Sequence, residues 1–458
     1  MSSLHPVQYQ FWDPEGRCAQ QDSMAKFPNH LSTTSIEQKL LEGLLNVNRD
    51  QRPIRASEVR RCAERLGFIN SQGCVPGCFN VLPRGVFFEN SIQCFNRRHA
   101  MELGAITIEF PIVFDHASDE MQELTKSYEQ DGRMFRLGEP DENCRLAYAA
   151  DPGIFNWLRG RTLDPIRLPL AIISHLPAMR RWKSGELGDL DHLRQYPLSD
   201  LHIIVANHHA LTSYLENTRL GAEGARFWVD EDWVMFVDIA KNFLDQFPTI
   251  GSSIASAAKK WTLIRVYSSM PRYYSMRSGI IVDAGYADVM LYNMQWDEEN
   301  PRRFQIRSKN EHPVVVLHGN MATGWPLLLP ILIGRTLSNL APRGFPVEVA
   351  PVQVCVLPVL DRHVKDAQNW MEKNGHLRAT LLGPNHPLGR RLRDVRQSFC
   401  PISLILGDRE RISGAHLTYS MTNELLCIGD IPDFLKARIA RCTPDIGLPV
   451  VNWPFDIR

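Results

Sequence analysis

Cys74 and Cys78 form a CxxxC pair, a spacing that suggests half of a metal site. A tetrahedral thiolate site needs four ligands, and no second pair follows to complete it. The remaining cysteines of the ten are scattered without a framework spacing, which reads as free thiols in a reducing cytosol. Basic side chains offer a second kind of chemistry. Arg180 lies in the run MRRWK, and Arg390, Arg391 and Arg393 cluster in GRRLRD. A guanidinium grips phosphate oxygens through two bonds, so the GRRLRD cluster suits a phosphate or, equally, a solvated face paired with acids, while Arg180 in its basic run reads by itself as a surface arginine. His208 and His209, in ANHHAL, read as surface residues.

The chain that must hold these groups has 458 residues, 44% hydrophobic and 22% charged. That length suits two or three domains, each able to bury its own core. The 51 basic and 51 acidic side chains balance, so no global field draws nucleic acid, and RNA contacts must come from local patches. No apolar run of about 18 residues occurs, which argues against a membrane span. The start, MSSLHPVQYQFWDPEG, lacks the basic and apolar regions of a signal peptide, and a cytoplasmic protein is expected.

Residues 1 to 70 read as an N-terminal arm, up to about residue 34, followed by a small helical region. SIEQKLLEGLL and SEVRRCAERLGF carry apolar residues at helical spacing. Residues 71–340 mix strands and helices. ITIEFPIVFD, SDLHIIVA, SGIIVDAG and HPVVVLHG have strand character, while DWVMFVDIAKNFLDQF reads as an amphipathic helix. Strands and helices without regular βαβ units predict an α+β core with a mixed, mostly antiparallel sheet flanked by helices. After the break at APRGFP, residues 341–458 alternate strictly: VQVCVLPVL, DAQNWMEKNG, LRATLL, GRRLRDVRQ, ISLILG. That order predicts a compact α/β domain with helices on both faces.

FPVEVAPVQVCVLPV, NHPLGRRLRD and CPISLILGDRERISG resemble the anticodon-binding domain of class IIa aminoacyl-tRNA synthetases, most of all its threonyl branch. Upstream, VPGCFNVLPRG resembles the entry to the class II core and EFPIVFD its motif 1. The stretch from RLPLAIISHLPAMRRWKSG to SDLHII resembles motif 2 of the threonyl enzyme. The resemblance runs through roughly residues 73–440 and leaves no counterpart for the family's N-terminal editing domains. It implies a class II core followed by an anticodon-binding domain, a homodimer with Pro111 at its interface, and no membrane.

The resemblance also assigns roles. Arg180 matches the motif 2 arginine on the ATP α-phosphate, Arg194 a second basic position, and Tyr196 the aromatic residue that stacks on adenine. The family's adenine-reading glutamate is Trp182 here, and Leu327 stands where motif 3 carries its arginine. Arg335, two helical turns or roughly 12 Å further along, is no substitute. The family binds zinc through one cysteine and two histidines, and those positions hold Asp151, His202 and His318. An Asp/His/His set is a sensible zinc site with room for substrate, and its harder ligands also suit iron or manganese. Asp200 and Gln295 match residues that line the amino-acid pocket. Asn385 and Glu410 match positions facing anticodon bases, where amide and carboxylate groups read base edges.

Two functions follow as expectations. The first is an enzyme that binds threonine or a similar small amino acid at a metal, uses ATP with magnesium, and acts with tRNA by aminoacylation or aminoacyl transfer. The second is a non-catalytic tRNA-binding or accessory paralogue that has lost adenylation. The bland alternative for the ligand set is two satisfied core histidines and an aspartate capping the helix PGIFNWL.

Overall fold

In a computed structural model the described residues are 6–21, 33–45, 52–139, 142–190, 192–270, 273–309, 313–320, 324–341, 344–413, 416–419 and 424–427. They fall into two compact units that are discontinuous in sequence. The larger comprises 1–56, 75–78 and 96–331, the smaller 57–74, 79–95 and 332–458.

The larger unit is built on a ten-stranded sheet. Its strands in chain order are β1 (Gln8–Trp12), β2 (Cys18–Gln21), β3 (Ile106–Thr107), β4 (Leu170–Met179), β5 (Gln195–Ala206), β6 (Trp233–Ala240), β7 (Thr262–Tyr267), β8 (Tyr274–Asp283), β9 (Asp288–Asp297) and β10 (Val314–Asn320). Their spatial order is β2-β1-β7-β6-β8-β9-β10-β5-β4-β3. Only β6–β7 and β4–β3 pair in parallel, so the sheet is mixed and mostly antiparallel, as its sequence pattern predicts.

Two stretches differ from the sequence reading. WVMFVDIA is strand β6, and only KNFLDQ after it is helical. All eight residues of β6 are buried. A central strand covered on both faces loses the polar–apolar alternation that marks a strand, so its apolar positions fit a helical period as well. The second stretch is Gln8–Trp12, read as part of an arm. It forms β1, pairing antiparallel with β7 and burying Tyr9 and Phe11 on one face.

Four helices matter for the larger unit: α1 (Ser35–Leu44), α2 (Asp151–Leu158), α3 (Asn207–Val229) and α4 (Ile250–Ala258). A capping box starts α1, with Thr34 Oγ1 accepting from the Glu37 amide and the Glu37 carboxylate accepting from the Thr34 amide. Leu40 and Leu41 then pack with Tyr9, Phe11, Phe236 and Leu263. Helix α3 covers one sheet face: Tyr214 Oη donates to Ser278 Oγ at 2.6 Å, and a Cβ on Gly221 would sit 2.8 Å from the Tyr292 ring. Residues adjacent to Ser278 and Met294, such as Arg277 and Gln295, therefore point to the opposite face. That opposite face carries the candidate site.

The smaller unit contains a five-stranded sheet of β11 (Val354–Pro358), β12 (Ala379–Leu381), β13 (Ile402–Leu406), β14 (His416–Tyr419) and β15 (Glu424–Cys427). Strand β11 is parallel to both β12 and β13. Val354 and Val356 pack with Ala367 and Trp370 of α5 (Val364–Lys373). The alternate residues Cys355 and Leu357 pack with Val395 and Leu392 of α6 (Leu388–Gln397). Period-two burial on both sides thus places one helix on each face. Among the described residues no helix is long and apolar enough to cross a membrane.

Candidate metal centre and pocket

Strand register brings the site together. His202 on β5 is opposite His318 on β10, which is opposite Gln295 on β9, which is opposite Arg277 on β8. Directly opposed residues share a sheet face, so these four form one lateral row. Asp200, two residues before His202, shares that face. Asp151 arrives from outside the sheet, in the first turn of α2, where the helix dipole favours a carboxylate. The N-cap is Ala150, and Asp151 is turned toward the histidines instead of capping the helix.

Asp151, His202 and His318 are all buried, and one ligand atom from each lies within 4.8 Å of the others. Asp151 Oδ1 is 2.9 Å from His318 Nδ1 and 3.5 Å from His202 Nε2. Two ligands on a tetrahedral zinc, with bonds of about 2.0–2.1 Å, lie about 3.3 Å apart, between the two spacings seen. His202 is fully buried, yet neither ring nitrogen has a hydrogen-bond partner among the described residues. An imidazole with both nitrogens unmatched is costly to bury. His318 differs: its Nε2 is 2.9 Å from Asp297 Oδ2, which leaves Nδ1 facing Asp151. A carboxylate on the outer nitrogen of a histidine fixes which nitrogen is free to bind. The donor set and its unpartnered atoms fit a metal.

Electrostatics agree with a tightly coupled cluster. Burial raises the Asp151 pKa, but the neighbouring His202 and His318 imidazoles outweigh it and hold the carboxyl well below its usual range. Burial lowers the His318 pKa, and Asp151 and Asp297 together push it up to about 10. Asp200 is raised by burial, against the pull of His202. Its Oδ2 accepts the Ala150 amide at 2.8 Å, tying the start of α2 to β5. Tyr273 donates to Gln295 Oε1 at 2.6 Å, and its ring lies 5.4 Å from that of His318.

The residues assigned to nucleotide binding lie around the ends of β4 and β5. Arg180 N donates to the Arg194 carbonyl at 2.9 Å, and the Arg180 guanidinium carbon lies 5.5 and 5.3 Å from the Tyr128 and Tyr196 rings. Arg180 Nε and Tyr196 Oη are buried without partners among the described residues. Arg194 spends its guanidinium on the Trp182 carbonyl, at 3.3 and 3.1 Å. Trp182 is 8% exposed, with Arg133 4.2 Å above its ring and His192 4.3 Å away. Leu327 is half-buried on the helix Trp325–Leu337.

In the smaller unit, Asn385 is exposed in the turn before α6, and Glu410 is half-buried on the helix Asp408–Ser413. Arg391 is no phosphate ligand: it is 1% exposed, and its guanidinium donates to the carbonyls of His386, Pro358, Leu382 and Val359. Arg390 and Arg393 are exposed. Sequence reasoning missed Asp297 and Tyr273. Asp297 was accessible, since it follows Gln295 by two residues on one strand and so shares its face; Tyr273 carried no comparable signal.

The fold defined by these elements is that of the class II aminoacyl-tRNA synthetases. The RNA-binding domain of threonyl-tRNA synthetase from Cryptosporidium parvum Iowa II superposes with a TM-score of 0.67 and 17% identity, covering 84% of this chain and 98% of that one. Prolyl-tRNA synthetase from Cryptosporidium parvum, solved with L-proline and AMP, gives 0.63 and 13%, covering 85% and 79%. In sequence, the chain is a divergent relative of threonyl-tRNA synthetases. It is 23% identical over 341 residues to threonine–tRNA ligase of Methanosphaerula palustris, 73% of this chain and 55% of the relative. Against that of Methanothrix thermoacetophila it is 23% identical over 404 residues, 84% and 64%. The chain therefore spans between half and two thirds of the length of these relatives. No family model matches it.

Proposed function

We propose that the chain binds a small amino acid, threonine or a close neighbour, at a zinc centre held by Asp151, His202 and His318, and acts with tRNA by aminoacylation or aminoacyl transfer. The observation that carries this reading is the buried triad, with both His202 nitrogens unpartnered and Asp297 behind His318. Zinc held there by Asp151, His202 and His318 would supply a Lewis acid for the amino group and hydroxyl of a substrate. Asp200 lies on the same face and supports recognition of a substrate ammonium, while Gln295, held by Tyr273, offers an amide to the side chain. Arg180, with an unpartnered Nε between two tyrosine rings, suits an α-phosphate. ATP with magnesium enters the reading through that residue, together with Tyr196 as a stacking surface.

Asn385 and Glu410 are the proposed contacts to anticodon bases. A homodimer is part of the same reading: Ile106 on edge strand β3, with Ile112 and Val113 beside Pro111 in the chain, leaves apolar side chains exposed. A second reading, a tRNA-binding accessory chain without adenylation, draws on the other details of the nucleotide region. Arg194 is engaged by the Trp182 carbonyl, and Leu327 supplies neither charge nor donor.

The test is amino-acid-dependent ATP–pyrophosphate exchange across the standard amino acids, with metal assayed on the same preparation. Exchange with threonine or serine supports the synthetase. Bound metal and amino-acid binding without exchange indicate an enzyme that takes a pre-activated substrate. Absence of both metal and exchange defeats the primary reading and leaves the accessory one.

A further inference from the structure

A cavity of 690 Å³ lies in the larger unit away from the triad. It is lined by the first residue of α3, Asn207, by the start of β10 at Pro313–Val315, and by the segment from Glu298 to Lys309 together with Thr162. His318 stands on the same strand about 10–13 Å further along, at 3.3 Å per residue. The lining segment is fixed by backbone bonds. Arg307 and Ser308 pair in parallel with Thr162 and Leu163, Ile306 N donates to the Pro301 carbonyl at 2.9 Å, and Asn207 N donates to the Pro313 carbonyl at 2.8 Å.

The side chains of this cavity are donors in excess. Arg302 and Arg307 are exposed, and neither guanidinium has an acceptor among the described residues. Lys309 adds a third cation, paired with Asp164 at 3.0 Å. Glu298 is the carboxylate of the lining, and it accepts from Trp296 Nε1 at 2.9 Å. Among the described residues, Arg302 and Arg307 thus remain as two unpaired cations beside one lining carboxylate. Ser308 is 3% exposed, lines the cavity, and has a hydroxyl with no partner among the described residues. A buried hydroxyl without a partner is an unmet cost that a ligand oxygen removes. Buried Ile306, Val314 and Val315 supply an apolar surface beside these donors.

We propose that this cavity is a second ligand site, which takes a phosphate-bearing ligand of mononucleotide size. The phosphate meets Arg302, Arg307 and the Ser308 hydroxyl, and the rest of the ligand lies over Ile306 and Val314. The volume matches sites that enclose small molecules, about 300–1,000 Å³. Two forked guanidiniums with no acceptors of their own match phosphate oxygens in geometry and charge. The inference stands on different residues from the metal centre and survives if that reading fails.

Calorimetric titration of the full chain with AMP is the test, run in parallel on Arg302→Ala/Arg307→Ala, Ser308→Ala and Arg180→Ala. AMP binding should weaken by about tenfold or more in the double variant and by about threefold in Ser308→Ala, since charged contacts carry most of the affinity. The Arg180→Ala chain should retain this binding, which separates the cavity from any nucleotide site at Arg180. Competition by a short single-stranded RNA stronger than that of AMP makes chain phosphate the natural source; the reverse makes it a free nucleotide. Unchanged AMP affinity in the double variant, loss only in Arg180→Ala, or no AMP binding at all overturns the proposal. Both arginines are exposed, so the double variant tests binding without risking the fold.

Discussion

Replacing Asp297 with asparagine changes one oxygen to an amide and leaves the volume unaltered. Asp297 Oδ1 accepts the amides of Glu299 and Asn300, each at 2.9 Å. Oδ2 accepts Asn300 Nδ2 at 2.8 Å and faces His318 Nε2 at 2.9 Å. An asparagine keeps the first two bonds only by turning its NH₂ toward the second pair. His318 then meets a donor where it had an acceptor, and its proton moves to Nδ1. That nitrogen faces Asp151, and once protonated it cannot hold a metal. Outer partners of this kind carry about 10–100-fold in metal affinity, or about 1.4–2.8 kcal/mol. The Asn300 amide also loses its acceptor, which costs about 1–3 kcal/mol of stability whether or not metal is present. Zinc competition against a chromophoric chelator reads the first effect, and denaturation in EDTA reads the second. A zinc affinity within about threefold of the parent, alongside the stability loss, would refute the tautomer argument, because the expected factor is larger.

Asp151→Cys exchanges a hard ligand for a soft one; zinc should be retained and the response to manganese lost, as read by metal analysis after loading with each ion. His175 has a pKa pulled down to about 4 from the usual 6.5, first by burial and then by Arg97. A depressed histidine stabilises the fold above about pH 6.5, and that contribution disappears as pH falls toward 4. The parent should therefore lose about 1.5–2 kcal/mol more stability than His175→Gln between pH 7 and pH 5, by denaturant titration; equal losses would count against this. Gly251→Ala puts a Cβ 2.3 Å from Trp12 Nε1 and 2.7 Å from Ile264, so it should destabilise by about 1–3 kcal/mol, seen as a lowered Tm. An unchanged Tm would mean that α4 and β1 do not pack as described.

Legibility in the sequence followed physical pattern. The alternating elements of the smaller unit were readable because short connections separate strands and helices of distinct period. β11 gave itself away although it is buried on both faces, because it is short and flanked by breaks. β6 did not, because an apolar run leads straight into a helix without a turn residue between Ala240 and Lys241. β1 was hidden by its length: Tyr9 and Phe11 are two apolar residues on one face, too few to stand out in a polar stretch. The triad could not be read from spacing at all. Asp151, His202 and His318 lie on three separate elements, and only strand register unites the histidines. Resemblance supplied the positions, and the geometry supplied what resemblance lacked, namely the partner behind His318 and the unmatched nitrogens of His202. The fates of Arg391 and Arg194 were equally invisible, since a guanidinium spent on carbonyls looks in sequence like one facing solvent.

The placement of β1 carries a consequence for biosynthesis. Gln8 pairs with Val266, so a strand made early in this sequence docks on one made far later. At about 5–20 residues per second, that partner follows roughly 13–50 s behind. Throughout that interval the nascent segment has an unsatisfied backbone edge and two aromatic rings in water, a natural substrate for a holding chaperone. Yield in a slowly translating host should thus depend on chaperone supply more than on the thermodynamic stability of the finished fold.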